Sequence, residues 1–164
     1  MKNYFFILLA LILLPVRSTI ATSLSEGEEF TVCDKKSDES GSGDGFLVFF
    51  DCMDRKVKLY QHKMQNEYNH RLNIIEKNSY YDIPESTDIN AKSTRPEIKK
   101  TFILSQQLWK EYMISFCSVV APQQPVGHGN AIEFAQCRIN MYKKRIDELQ
   151  HMTDDWQLES DGNK

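Results

Sequence analysis

The chain has 164 residues, of which 41% are hydrophobic and 26% are charged, and its formal net charge at pH 7 is −3. This length fits a single domain with one hydrophobic core. The acidic balance argues against a nucleic-acid partner, because binding to a phosphate backbone needs clustered lysine and arginine. The same balance is compatible with docking onto a basic protein.

The N-terminus has the pattern of a secretory signal peptide. Lys2 precedes an unbroken apolar run from Tyr4 to Leu14, and small residues follow up to Ala21. A run of this length is typical of a signal peptide and is shorter than the roughly 20 apolar residues of a transmembrane helix. We therefore expect cleavage after Ala21, no stable membrane anchor, and a periplasmic or secreted mature chain. An uncleaved N-terminal anchor is the alternative.

All four cysteines lie in the part expected to be exported, and they are Cys33, Cys52, Cys117 and Cys137. An even number of cysteines in an oxidising compartment predicts two disulfides, for which three pairings are possible. We favour Cys33–Cys52 and Cys117–Cys137, because each pair is local in sequence and spans a turn-rich segment. A zinc site is the competing interpretation. The sequence has no C-x-x-C, and its histidines are not spaced as a ligand set, so we expect no metal and no cofactor.

The segment after the signal peptide differs sharply from the one that follows it. Residues 22–45 are polar, acidic and glycine-rich, which predicts a flexible segment. From residue 46 to residue 77 apolar side chains recur every three or four positions, which predicts a long amphipathic helix with one core-facing stripe. The stripe comprises Phe46, Phe49, Met53, Val57, Tyr60, Met64, Tyr68, Leu72 and Ile75.

Residues 78–95 form a predicted loop, because Pro84 and a run of polar residues break the helical period. Loops of this length in compact domains are often either functional or disordered. The possible partner contacts are Tyr80, Tyr81, Asp82 and Glu85. For the two tyrosines we favour packing back onto the helices over a binding role, because exposed apolar loop residues are only a weak indication of a contact.

Two further helices follow. Thr94 and Glu97 fit a T-x-x-E capping box with Pro96 in the first turn, which predicts a helix over residues 96–118. We expect its apolar face to contain Ile98, Phe102, Trp109, Tyr112 and Phe116. An amide on this face, that of Gln106, is expected to bond to backbone or to a loop.

The last predicted helix covers residues 130–152, with Asn130 as its N-cap. Residues 153–164 form an acidic tail that contains Trp156. The predicted fold is thus all-α, a small disulfide-stapled bundle of three main helices within residues 46–152. The last two helices form a hairpin.

A set of residues in these helices resembles the LprI-like lysozyme inhibitor domain. Gln106-x-x-Trp109, Cys117, a glycine-bearing turn, Cys137, Arg145 and Leu149 follow the later half of that family's pattern, and Cys52 and Tyr68 fit its earlier half. The resemblance covers about residues 33–150. It implies a small, exported, disulfide-stapled helical domain, of which some members inhibit lysozyme.

The motif residues need not form a binding site. A tryptophan and an amide on one helix, facing an arginine on the next, can simply lock the hairpin. We expect this structural role for Gln106, Trp109 and Arg145. The expected partners of Arg145 are helix-end carbonyls or Glu111.

Three functions compete at this point. The first is an exported, non-enzymatic protein that binds and inhibits lysozyme or another cell-wall-degrading enzyme. The alternative is an immunity or envelope-interaction protein with another protein target. An enzyme is the least supported, because His128 lies in a turn but no nucleophile stands beside it in a recognisable motif. The sequence does not determine the oligomeric state.

Overall fold

The computed structural model describes residues 27–41, 43–82, 92–121 and 128–152. These residues form α1 (Glu28–Glu39), α2 (Gly45–Lys77), a short 3₁₀ helix (Ser79–Tyr81), α3 (Arg95–Val120) and α4 (His128–His151). The all-α class is confirmed, and the ends of α2, α3 and α4 fall within two residues of the predicted ends. The predicted signal peptide and the predicted acidic tail with Trp156 lie outside the described residues.

The predicted count of three helices is wrong, because α1 is a fourth helix within the segment expected to be flexible. Its sequence is mostly charged, so it lacks the apolar period from which the other helices were inferred. Only Glu29 and Cys33 of α1 are buried. The helix is fastened to α2 through the Cys33–Cys52 bridge and through Phe30, whose ring meets that of Phe49 edge-on at 5.1 Å.

The three long helices form the bundle. Met64 of α2 contacts Gln106 of α3, and Tyr68 stacks on Phe102, so α2 and α3 run antiparallel. The Cys117–Cys137 bridge makes α4 antiparallel to α3 in turn. The C-termini of α2 and α4 therefore lie at the same end of the bundle as the N-terminus of α3.

The apolar stripe of α2 faces the core as predicted, except that Phe46 is exposed. The prediction for α3 was wrong in part, because Tyr112 and Phe116 are exposed while Met113 and Cys117 are buried. The disulfide explains the difference. It turns Cys117 toward α4, and neighbouring residues of a helix point about 100° apart.

Both disulfides lie at the end of the bundle opposite the C-terminus of α2. Each has a Cα–Cα distance of 5.6 Å, and all four cysteines are buried. The pairing is the one that the sequence favoured. Loops of this length make each bridge worth roughly 3 kcal/mol. Within the described residues, no helix has both the length and the apolar character that a membrane crossing requires.

Candidate functional site

An apolar groove of about 940 Å³ opens at the end of the bundle away from the disulfides. It lies where the C-terminus of α2, the N-terminus of α3 and the C-terminus of α4 meet. Its apolar lining consists of Ile75, Tyr81, Pro96, Ile98, Phe102 and Met152. Three charged residues, Lys92, Glu97 and Arg145, also line it. An apolar recess with a few charged groups is the usual form of a binding site on a small domain.

Arg95 shapes one edge of the groove by holding the end of α2. Its guanidinium donates hydrogen bonds to the carbonyl oxygens of Glu76 and Asn78, at 3.0 and 3.1 Å, and lies 3.6 Å from the Asp82 carboxylate. A helix C-terminus carries partial negative charge, so an arginine there is stabilising. The turn after α2 is thereby pinned beside the start of α3.

A lysine one turn further along α3 reinforces this edge. Lys99 Nζ lies 2.5 Å from a carboxylate oxygen of Glu76, and this hydrogen bond and positive charge hold the pKa of Glu76 below its usual range. Both partners are well exposed, so the pair adds little stability in water.

A second arginine performs the same task for α4. Arg71 is buried, and its guanidinium donates hydrogen bonds to the carbonyl oxygens of Leu149 and Gln150. The end of α4 is therefore tied to α2, and the groove is bounded by two helix ends that arginines hold in place. Leu149 itself is fully buried, which agrees with a structural role.

The family-motif residues form a cluster next to the floor of the groove. Gln106 is buried, its Oε1 accepts a hydrogen bond from Arg145 Nε at 3.1 Å, and its Nε2 lies 2.9 Å from Met64 Sδ. The Arg145 guanidinium also lies 5.7 Å from the centre of the Trp109 ring, within range of a cation–π contact. Helices α2, α3 and α4 thus meet around one amide.

The partners expected for these residues were wrong in two details. Gln106 bonds to side chains and not to backbone or a loop. Arg145 pairs with Glu148, at 3.0 Å, while Glu111 accepts a hydrogen bond from Gln107. The reason is that α4 turns Arg145 inward, toward the Gln106 amide, and away from the outer face of α3.

Two aromatic contacts lie beside this cluster. Tyr68 stacks on Phe102 with ring centres 5.1 Å apart, and Trp109 packs against Tyr142 at 5.9 Å. Burial raises the pKa of the Tyr68 phenol, and the positive charge of Lys99 opposes this only in part. The packing of Tyr68 against Phe102 thus favours the neutral phenol.

The structure brings one of the four proposed partner contacts into the groove lining. Tyr81 is half-buried, lines the groove and packs against the core. Asp82, the next residue along the chain, is exposed and lies 3.6 Å from the Arg95 guanidinium. The side chain of Tyr80 and all of Glu85 lie outside the described residues.

A cluster that the sequence analysis missed joins α1 to the bundle. A Glu29 carboxylate oxygen accepts a hydrogen bond from the Tyr60 hydroxyl at 2.8 Å and lies 2.5 Å from Lys143 Nζ. Burial raises the pKa of Glu29, but the bonds from Lys143 and Tyr60 together outweigh it, so that the pKa lies below the usual value. Glu29 lies on a helix that the sequence did not predict, so no pattern pointed to it.

The described residues offer no metal centre, because no three of their His, Cys, Asp and Glu side chains come together as a possible ligand set. His62 and His70 are exposed, as expected from their positions off the apolar stripe. His128 is the first residue of α4 and not part of a turn, and its side chain lies outside the described residues.

A family model described as lysozyme inhibitor LprI matches residues 33–149. The chain belongs to the LprI lysozyme inhibitor family. The matched span runs from Cys33 to Leu149 and includes both disulfides, the Gln106–Arg145 contact and most of the groove lining. No curated protein and no solved structure matches the chain significantly.

Proposed function

We propose that this protein is an exported, non-enzymatic binding protein that inhibits lysozyme or another cell-wall-degrading enzyme. The observation that carries the proposal is the match to the LprI family, which extends from residue 33 to residue 149 and includes both disulfides. Membership supports an inhibitory role and does not name the enzyme.

The proposed compartment follows from the two buried disulfides. Disulfides persist in oxidising compartments and are rare in the cytosol. Together with the signal-peptide pattern, they support a mature chain that acts in the periplasm or outside the cell. Loss of Lys2 and Arg17 with the signal peptide would take the net charge from −3 to about −5.

The groove is the surface that we propose for contact with the enzyme. Its apolar lining can receive an apolar or aromatic side chain, and the exposed carboxylate of Glu97 lies in the lining. Lysozymes are cationic, and opposite charge speeds the encounter of two proteins. A carboxylate brought to the mouth of a cleft that works through two carboxylates would also disturb its chemistry.

The experiment is a turnover assay of several lysozyme classes, with and without the purified, oxidised protein at equimolar concentration. We expect inhibition of at least one class. The variant Glu97→Lys should weaken inhibition at least about tenfold, since it reverses a charge in the proposed contact. The matched control is Glu39→Lys on α1, another exposed glutamate, at the far end of the bundle.

Unchanged turnover in every class would reject the lysozyme proposal. Inhibition that Glu97→Lys and Glu39→Lys affect equally would reject the groove as the contact surface. If affinity capture from an envelope fraction then recovered a dedicated toxin, the immunity role would replace the inhibitory one.

A further inference from the structure

The outer face of α3 carries an apolar ridge that nothing in the described chain covers. Its members are Leu104, Leu108, Tyr112, Phe116 and Val119, which are 49%, 54%, 56%, 42% and 70% exposed. The first four recur at every fourth position, so they form one continuous row along the helix. Single exposed apolar residues are ordinary, but a contiguous row of large ones marks an interaction surface.

The size of this ridge fits a protein interface. Its five side chains expose roughly 500 Å² of mainly apolar surface, when their exposed fractions are applied to ordinary side-chain areas. A standard interface buries about 800 Å² on each partner, of which about 60% is apolar. The apolar area buried on each partner is therefore about equal to the area that the ridge exposes.

The charges on α3 lie beside the ridge and not on it. Lys110 lines the pockets between α3 and α2, on the other side of the helix. Glu111 accepts a hydrogen bond from Gln107 at 3.2 Å. A cationic enzyme would find one exposed carboxylate beside the ridge, that of Glu111, and none within it, so apolar contacts would have to supply most of the binding. The apolar ridge is better matched by a second apolar surface of the same shape.

We propose that the ridge is the interface of a homodimer, with a second copy of this chain as its occupant. Rows of residues four apart interdigitate when two helices cross at about −50°, the commonest way in which helices pack. The four residues of the row are evenly spaced about position 110. A two-fold axis through this point therefore places the ridge of one copy against the same ridge of the other. In this antiparallel arrangement Leu104 of one copy meets Phe116 of the other, and Leu108 meets Tyr112.

The first test is sedimentation equilibrium of the oxidised mature chain, without the predicted signal peptide, between about 1 and 100 µM, a range that covers ordinary weak and moderate dimers. We expect the apparent mass to rise with concentration toward twice the mass of one chain. Leu108→Glu should weaken the dimer at least about tenfold, because it places a charge in the apolar centre. The matched control is Leu59→Glu on α2, also an exposed leucine on a helix, which should leave the dimer unchanged.

A second test examines the register. Tyr112→Lys should also be monomeric, but an equimolar mixture of the Leu108→Glu and Tyr112→Lys chains should associate. The reason is that the pairing sets the introduced glutamate of one copy against the introduced lysine of the other. Circular dichroism of each variant confirms that the helices are intact. Rescue in the mixture supports the two-fold arrangement even where one variant is less stable.

Three outcomes would overturn the proposal. The wild-type chain could remain a monomer throughout the concentration range, the dimer could tolerate Leu108→Glu, or the mixture of well-folded variants could remain monomeric. A monomeric chain whose binding to a lysozyme is weakened by Leu108→Glu would assign the ridge to the enzyme instead. The dimer proposal does not depend on the groove, so the two can fail separately.

Discussion

Arg145 of α4 donates a hydrogen bond to the side-chain oxygen of Gln106 on α3, across a sequence separation of 39 residues. The same guanidinium lies over Trp109 and pairs with Glu148. Gln106 also reaches Met64, so a single contact joins the three long helices beside the groove. A buried amide needs both of its polar atoms satisfied, and this explains why glutamine and arginine occur together here.

We expect Gln106→Ala to lower the free energy of unfolding by about 2 kcal/mol, because it removes a bond to a charged donor and leaves Arg145 partly buried without that acceptor. Arg145→Ala should cost a similar amount. The double variant should cost less than the sum, with a coupling of about 1 kcal/mol. Urea unfolding of the four proteins measures this, and strict additivity would show that the contact contributes nothing.

Trp109→Ala should lower the free energy of unfolding by about 3 kcal/mol, the low end for a large-to-small change in a core, since the ring is only half-buried. The substitution removes the indole ring and with it the contacts to Tyr142 and Arg145. Leu59→Ala, on the exposed side of α2, serves as the control and should stay within about 0.5 kcal/mol. A loss below about 1 kcal/mol for Trp109→Ala would argue against a packing role.

The Glu29–Lys143 pair should give the protein a defined pH dependence. The pKa of Glu29 lies below its ordinary value of 4.5, so its contribution is present above pH 4.5 and is lost as the pH falls through the lower folded-state pKa. Burial lowers the pKa of Lys143, but its hydrogen bond and charge interaction with Glu29 outweigh this, so that its pKa lies above the ordinary value of 10.5. The contribution of Lys143 to stability is therefore lost only as the pH rises beyond 10.5.

The contribution of this pair to the free energy of unfolding, measured with urea, should therefore be constant between about pH 5 and pH 10. It should fall below and above that range. Glu29→Gln should cost about 1–2 kcal/mol at pH 7, a value reduced because Lys143 keeps about a third of its exposure. As the pH falls below about 5, the free energy of unfolding of the variant should also decrease less than that of the wild type. An acid decline identical to that of the wild type would assign it to other carboxylates.

Replacing Cys33 and Cys52 together by serine should cost roughly 3 kcal/mol and should release α1 before the rest of the bundle. Phe30, the Glu29 cluster and the hydrogen bond from Ser37 Oγ to the Gly45 carbonyl oxygen would then remain to hold this helix to α2 and α4. Native-state hydrogen exchange checks this, since amides of residues 28–39 should exchange much faster while those of α3 keep their protection. Equal acceleration in α3 would show that the bridge supports the whole core.

The groove was only partly visible in the sequence. Tyr81 and Asp82 were identified as possible contacts because they lie in a long polar loop, and of the two Tyr81 lines the groove. Arg71 and Arg95 could not have been selected, because their partners are backbone carbonyls at helix ends, which no side-chain pattern reveals. A groove formed by the ends of three helices depends on their relative positions.

The order of the residues alone determined the class of the fold, three of the four α-helices in the described part of the chain, and the pairing favoured for the cysteines. These properties depend on short-range periodicity and on loop length, and both can be read from the amino-acid sequence. Only the tertiary structure revealed α1, whose anchors Glu29 and Cys33 bind residues on other helices. It also determined that Phe116 faces solvent while Cys117 faces the core. The rotation of a helix about its own axis is decided by its neighbours, because several faces of α3 are apolar and only one of them can be buried.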